Sequence, residues 1–377
     1  MPIVPDYDYD IFISYRQKDN KQYGYTNKTC SIFRQQSQQK RNHENKKNCK
    51  LIILLFLQAL ACLSFLPKDD FFSIIILPDT QHYSSSYPEI FYKQMGWIVE
   101  NKNLLNIQYV IHLGDITNNN KEYAWAVADK SFKILENKGI PYSIVYGDND
   151  MKNPDKNYYD GIRHTEYLHK YFPVSRFEKP GTWWIGGFLD REKIDNYYCL
   201  FNYKDYKFLI MNLELAPRSS VLKWADTIIA QNASRKIILV THDYLDRNGN
   251  RLNDLKSFAL DGRDKEGKLK GNNAEAVFKK LVLKNSNIIL VLCGHKEGTF
   301  QKGVSIEGSS DSVKTRKVFE ILSDFQDEKI KGSDEKSGKG LLRVLKIYPE
   351  KNEIGISTVS ALTGKTKEEE IHLSLGE

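Results

Sequence analysis

Five short apolar runs, each ending in an acid or an imidazole, constrain this chain more than any other feature. SIIILPDTQH places Asp79 after the run 74–77, and YVIHLGDITNNN places Asp115 after 110–113. YSIVYGDND places Asp148 and Asn149 after 143–146. KIILVTHDY places His242 after 237–241, and NIILVLCGHKEG places His295 and Glu297 after 288–293. Apolar runs of this length, rich in β-branched side chains, form strands buried on both faces.

Amphipathic segments separate the runs. Residues 122–138 set Trp125, Ala128, Phe132 and Leu135 at helical spacing, with Asn118, Asn119 and Asn120 available as caps and Gly139 as a stop. Residues 219–230 place Val221, Leu222, Ala225, Ile228 and Ile229 on one face. Residues 274–283 do the same with Ala274, Val277, Phe278 and Leu281. Further on, 318–322, 341–348 and 353–359 read as alternating strands that close a second sheet. Strands alternating with helices imply an α/β fold with at least partly parallel strands. In open sheets of that kind, ligands bind beyond the carboxyl ends of the strands. The five polar strand ends are therefore expected to face one place.

Composition sets the frame around this pattern. The 377 residues suit two domains or one large α/β domain, and 41% hydrophobic with 27% charged residues excludes a wholly disordered or fibrous chain. Cys30, Cys49, Cys62, Cys199 and Cys293 form no CxxC pair, which argues against a disulfide framework and a zinc ribbon. The net charge of +7 is mostly N-terminal. Residues 1–50 hold ten Lys/Arg against five Asp/Glu, and the remainder holds 45 against 43. The body has no global basic character, so nucleic acid is not an expected partner.

Two N-terminal features stand apart. Residues 51–66, LIILLFLQALACLSFL, carry no charge, follow Lys46, Lys47 and Lys50, and end at Pro67. A helix of that length spans ~24 Å, short of a ~30 Å hydrocarbon core. The basic flank, apolar centre and small residues before Cys62 read as an export signal or membrane anchor, against the alternative of a buried core helix. The expected location is the cell envelope, or the cytoplasm if the signal is not used. Ahead of it, residues 1–50 are polar, and YDYDIFISYRQKD at 7–19 resembles the opening strand of a Toll/interleukin-receptor (TIR) domain. The resemblance stops there, before any following α/β repeats.

Aspartates and histidines converging without thiolates suit Mn, Fe, Zn or Mg. Two such ions ~3.5–4 Å apart can activate a water and clamp a phosphoryl group. One carboxylate must bridge them, and Asp115, on the loop freed by Gly114, is the natural candidate. His112 reads as structural. His82 is a possible substitute ligand or acid, and Asp243 either orients an imidazole or is solvated.

The order DTQ, GDITNN, GDND, VTH, GHKE over about residues 72–372 resembles the calcineurin-like metallophosphoesterases. Their motifs run DxH or DxQ, GDxxxN, GNHD, H and GHxH, and the DTQ form is similar to one of their branches. The resemblance implies an α/β/β/α sandwich of two mixed sheets flanked by helices across 72–377. An aromatic insertion at 151–198 carries GTWWIGGF, whose Trp183 and Trp184 either wall a substrate pocket or pack the insertion onto the sheet. It also implies a dinuclear centre, with Asp79, Gln81, Asp115 and Glu297 at the first ion. Asp115, Asp148, His242 and His295 would serve the second, and Asn149 and Asp150 hold the catalytic positions.

Three positions depart from the family pattern: Asp148 replaces Asn, Asn149 replaces the His of GNHD, and Glu297 replaces the second His of GHxH. Asn149 has no proton to give near neutral pH, and losing a general acid commonly costs ~10²–10⁴-fold. Asp79, Asp115, Asp148 and Glu297 would cancel the charge of two divalent cations, so the loaded site would attract a phosphate less. An all-oxygen first position favours Mn, Mg or Ca over Zn, with Mn foremost. The expected function is a metal-dependent phosphoester hydrolase weakened by these departures. The alternatives are a pseudoenzyme of the same fold, binding metal or a phosphorylated ligand, and a TIR-type signalling adaptor. A phosphoester is the expected substrate, with membrane association through 51–66.

Overall fold

In the computed structural model the described residues are 70–156, 160, 162–179, 181–253, 271–307, 315–329, 338–367 and 370–374. The TIR-like segment 7–19 and the apolar run 51–66 lie outside them. Among the described residues, no helix is long and apolar enough to cross a membrane.

Among the described residues thirteen strands follow one another: β1 (Phe72–Leu77), β2 (Ile107–His112), β3 (Tyr142–Ile144), β4 (Ile185–Asp190), β5 (Lys193–Tyr203), β6 (Tyr206–Asn212), β7 (Lys236–Val240), β8 (Ile288–Cys293), β9 (Gly298–Ile306), β10 (Arg316–Asp324), β11 (Leu341–Tyr348), β12 (Glu353–Ser360) and β13 (Ile371–Ser374). They form two mixed sheets. The first has the order β13-β12-β11-β1-β2-β3, and the second β4-β5-β6-β7-β8-β10-β9. Within the first, β1, β2 and β3 run parallel while β11 joins β1 antiparallel. Within the second, β6, β7, β8 and β10 run parallel.

The strands stack into layers because alternate side chains point to opposite faces. Phe208 and Ile210 of β6, Ile238 and Val240 of β7, and Leu290 and Leu292 of β8 join one core with β1, β2 and β3. Their neighbours Leu209, Met211, Ile237, Leu239, Val291 and Cys293 join a second core with Val221, Leu222, Ala225 and Ile229 of the helix Ser219–Gln231. On the opposite side, the helices Pro88–Glu100 and Glu122–Glu136 cover the first sheet, contributing Phe91, Met95, Trp125 and Phe132. The layers are helix, sheet, sheet, helix.

The helix expected over 122–138 forms, but the asparagines before it do not cap it. Lys121 stands at the N-cap with no side-chain cap bond. Asn120 instead accepts from Trp125 Nε1 and donates to the Lys152 and His164 carbonyls, tying three segments together. The segment 274–283 starts as an α-helix capped by Asn273 and widens into a π-turn at Phe278–Val282.

The expected insertion at 151–198 supplies the edge strand β4 and the first part of its neighbour β5 in the second sheet. Trp184 is buried and donates to the Tyr142 carbonyl, whereas Trp183 is exposed. Of the two tryptophans, one packs the segment onto β3 and the other faces solvent.

Phe132 packs its buried ring against Phe91, Tyr142 and Phe172 at centroid distances of 6.0, 4.8 and 5.4 Å. Phe132→Ala should destabilise the fold by about 3–5 kcal/mol, measured as a lower denaturant midpoint at unchanged slope. A loss below 1 kcal/mol would mean that this aromatic cluster does not anchor the helix to the sheet.

Candidate metal centre

The parallel strands of both sheets end at one edge, and their loops carry the site. Asp115, Asp148, His242 and His295 offer ligand atoms that all lie within 4.8 Å of one another. His242 Nε2 is 3.4 Å from Asp115 Oδ1 and 3.3 Å from Asp148 Oδ1. His295 Nδ1 is 2.9 Å from the same Asp148 oxygen. Ligands held ~2.1 Å from one ion at right or tetrahedral angles lie about 3.0–3.4 Å from each other. The four residues form a group that could hold a metal ion.

Backbone and second contacts fix each side chain. Asp115 and His295 both adopt left-handed backbone, with φ of 49° and 71°. Non-glycine residues take that conformation at a cost of about 1–3 kcal/mol, and such residues gather at functional sites. His242 donates through Nδ1 to the Leu113 carbonyl at 2.8 Å, which aims Nε2 at the carboxylates. Gly147 permits the approach: a Cβ there would stand 2.2 Å from Asp115 Oδ1 and 2.6 Å from His242 Nε2.

Asn149 binds both oxygens of Asp115, its amide N–H donating to Oδ1 at 2.8 Å and its side chain to Oδ2 at 2.7 Å. Lys152 donates to the Asn149 side-chain oxygen, so a cation stands behind the position where the family pattern has histidine. Asp150 is wholly buried. It accepts from the amides of Ile116, Thr117 and Gly147 and from the Thr117 hydroxyl. With four donors filling its oxygens, Asp150 laces the β2 loop to the β3 loop.

Asp79 lies two residues beyond β1 and is buried. Its Oδ2 accepts from the His295 amide at 3.1 Å, while Oδ1 has no hydrogen-bond partner. Gln81 is buried in the first turn of the helix Gln81–Ser86, its carbonyl accepting from the Ser84 and Ser85 hydroxyls. Glu297 is exposed and is not brought to the cluster.

His112 is structural, as its place within a strand suggested. It accepts from the Gly114 amide and donates to Thr80 Oγ1 at 2.9 Å, which itself donates to the Ile116 carbonyl. Asp243 is half-buried, 3.9 Å from His295 Nε2. Sequence reasoning missed Asp324, fully buried at the end of β10. It also missed Lys296, which donates to His295 Nε2 at 2.7 Å. A separate cavity of about 540 Å3, lined by Gly186, Gly187, Tyr198 and Trp224, touches none of the cluster residues.

The family model for calcineurin-like phosphoesterases matches residues 72–296. The chain belongs to the calcineurin-like phosphoesterase family. Over 297 residues it is 30% identical to the uncharacterized protein YvnB of Bacillus subtilis (strain 168). That alignment covers 78% of this chain and 20% of YvnB, so the chain spans about a fifth of that relative's length. Among solved structures, it is similar to GAP50, the anchor in the inner membrane complex of Plasmodium, at 12% identity over 81% of this chain and 90% of that one, with a TM-score of 0.47. A conserved uncharacterized protein of Streptococcus pneumoniae TIGR4, a predicted phosphoesterase, matches at 10% identity over 81% and 98%, with a TM-score of 0.32.

The candidate site is crowded with charge, and its titration follows. Burial, then Asp324, then Asp115 push the Asp79 carboxyl well above the usual range. Burial raises Asp324 to about 7, with Asp115 adding to it. Burial opposes charge on His242, but Asp115 and Asp79 outweigh it and hold the imidazole well above its ordinary value. Burial opposes charge on Asp148 too, yet hydrogen bonds from His242 and His295 hold it well below.

A raised carboxyl stabilises the fold below its ordinary value near 4 and loses that contribution as pH rises through about 7. The raised His242 loses its contribution in the same direction, above 6.5. The chelated protein should therefore melt on the order of 5 °C lower at pH 8 than at pH 5.5, and added Mn²⁺ should restore it. A chelated melting temperature that is flat or rising across that interval would contradict this electrostatic account.

Proposed function

We propose that this chain hydrolyses phosphoesters at a centre of two divalent cations, Mn²⁺ foremost, in the manner of the DTQ-type branch of its family. The observation that carries the reading is the convergence of Asp115, Asp148, His242 and His295 at ligand spacing from four separate strand ends. The donors fit such cations. Two imidazoles and hard oxygens are present without thiolate, and the buried Asp79 Oδ1 lacks any partner. Asp115, Asp148, His242 and His295 would hold one cation, and Asp79, Gln81 and Asp115 the other.

Bound cations would supply the activated water and offset charge on the phosphoryl oxygens. The chain's own residues do the rest. His242, oriented by the Leu113 carbonyl, presents one nitrogen and keeps its proton on the other. Asn149 fixes the angle of Asp115 through both carboxylate oxygens. It cannot protonate a departing alkoxide, so the step depends on leaving groups that depart as anions. Lys152, hydrogen-bonded to Asn149, is the nearest fixed positive charge of that loop.

The test uses the full chain with Mn²⁺ and chromogenic phosphodiester and monoester substrates. Hydrolysis should require the metal, disappear with chelator, and fall by at least ~10³-fold in His242→Ala. Asn149→His should raise kcat by about 10- to 100-fold by restoring an acid. Metal bound tightly without turnover in either form would favour a ligand-binding pseudoenzyme. Failure to bind any divalent cation would overturn the reading. For residues 51–66 we retain export or anchoring at the cell envelope, which fractionation of cells expressing the full chain would check.

A further inference from the structure

We propose that Lys152 is a positioning residue for the bridging carboxylate: it holds the Asn149 side-chain amide in the one orientation that donates to Asp115. The inference rests on the metal-centred reading above and adds one residue to it. Asn149–Met151 is a single 3₁₀ turn, and Lys152 follows it directly. At three residues per turn, side chains at i and i+3 stand one above the other. Lys152 Nζ accordingly donates to Asn149 Oδ1 at 2.5 Å, and it also donates to Asn119 Oδ1 of the β2 loop at 3.1 Å. Asn149 passes the contact on, its Nδ2 donating to Asp115 Oδ2 at 2.7 Å.

The donor rules make this arrangement directional. An ammonium only donates and an ionised carboxylate only accepts, so an amide between them has one allowed orientation, oxygen to lysine and nitrogen to aspartate. The charged donor on the amide oxygen also polarises the group and strengthens the N–H that faces Asp115. Asn149 is half-buried, so without the lysine water competes for its amide and Asp115 loses a fixed donor. Lys152 is itself anchored from the core. Its carbonyl accepts from Asn120 Nδ2 at 3.0 Å, and Asn120 Oδ1 accepts from the indole of the fully buried Trp125 at 2.8 Å. Hydrogen bonds thus link the helix Glu122–Glu136, through Asn120, Lys152 and Asn149, to the carboxylate that both cations would share. Charge alone predicts the opposite of positioning. An ammonium near the site repels divalent cations, so its removal would tighten their binding, whereas loss of a contact that orients a ligand loosens it, typically by ~10–100-fold.

The experiment is a calorimetric titration of the full chain with MnCl₂. Lys152→Met should bind Mn²⁺ at least ~10-fold more weakly than wild type, and Lys152→Arg, which keeps the charge and the donors, should stay within about threefold. In an Asn149→Ala background the amide is already gone, so adding Lys152→Met should weaken binding by less than about twofold. A lysine that only holds the fold together would weaken binding equally in both backgrounds, and that result would overturn the inference. Wild-type or tighter Mn²⁺ affinity in a folded Lys152→Met protein would overturn it too, leaving the lysine to act by charge alone. If Lys152→Met does not fold, Lys152→Ala is titrated in its place under the same criteria. A wild-type chain that binds no Mn²⁺ would bring down the metal-centred reading and this inference together.

Discussion

The carboxylate of Asp150 holds the site together without belonging to it. It is buried with four donors from two loops, the amides of Ile116, Thr117 and Gly147 and the Thr117 hydroxyl. Burial, then Asp115, raise this carboxyl to about 7 against the pull of its amide donors, and the group is expensive to disturb, because any displaced loop leaves its buried oxygens and the amides unpaired. The two loops so joined carry Asp115 and Asp148, and Asn149 adds a direct clamp from one to the other. The position of the cluster is therefore set by hydrogen bonds behind it.

That rigidity explains why like charges remain together. Asp79, Asp115, Asp148 and Asp324 would separate if their loops were free, but strand ends and the Asp150 lacing deny them the movement. The left-handed backbone at Asp115 and His295 belongs to the same account: local strain is retained because the surroundings overdetermine it. Burial and the neighbouring carboxylates push Asp79 and Asp324 upward, and Asp115 and Asp79 push His242 upward, so each holds its proton to higher pH. A site built this way exchanges protons for cations, so its metal affinity and its pH response are two views of one arrangement.

Much of this was legible in the sequence, for a specific reason. β1, β2, β7 and β8 are covered on both faces, so they read as uninterrupted apolar runs, and their polar ends mark where burial stops. Asp79, Asp115, Asp148, His242 and His295 stand out against those runs. The edge strand β4 and its neighbour β5 did not, because glycines and aromatics in IGGFLD and KIDNYYCLFNY obscure the alternation. The role of Asp150 was hidden because its donors are backbone amides, which carry no sequence signature. Asn120 was read as a cap because asparagine favours that position, but a tertiary demand, the Trp125 indole, took its side chain.

Asp324 and Glu297 show the same limit most sharply. Glu297 was expected at the site from the resemblance to the GHxH motif, and in the structure it is exposed, outside the group Asp115, Asp148, His242 and His295. Two residues before it the backbone is left-handed at His295, with φ of 71°. Asp324 reaches the same sheet end from a different strand, and only the pairing of Leu322 with Cys293 reveals it. Motif spacing is a sound guide while the backbone between two residues is regular. Where the backbone bends, the pairing of the strands is the guide instead.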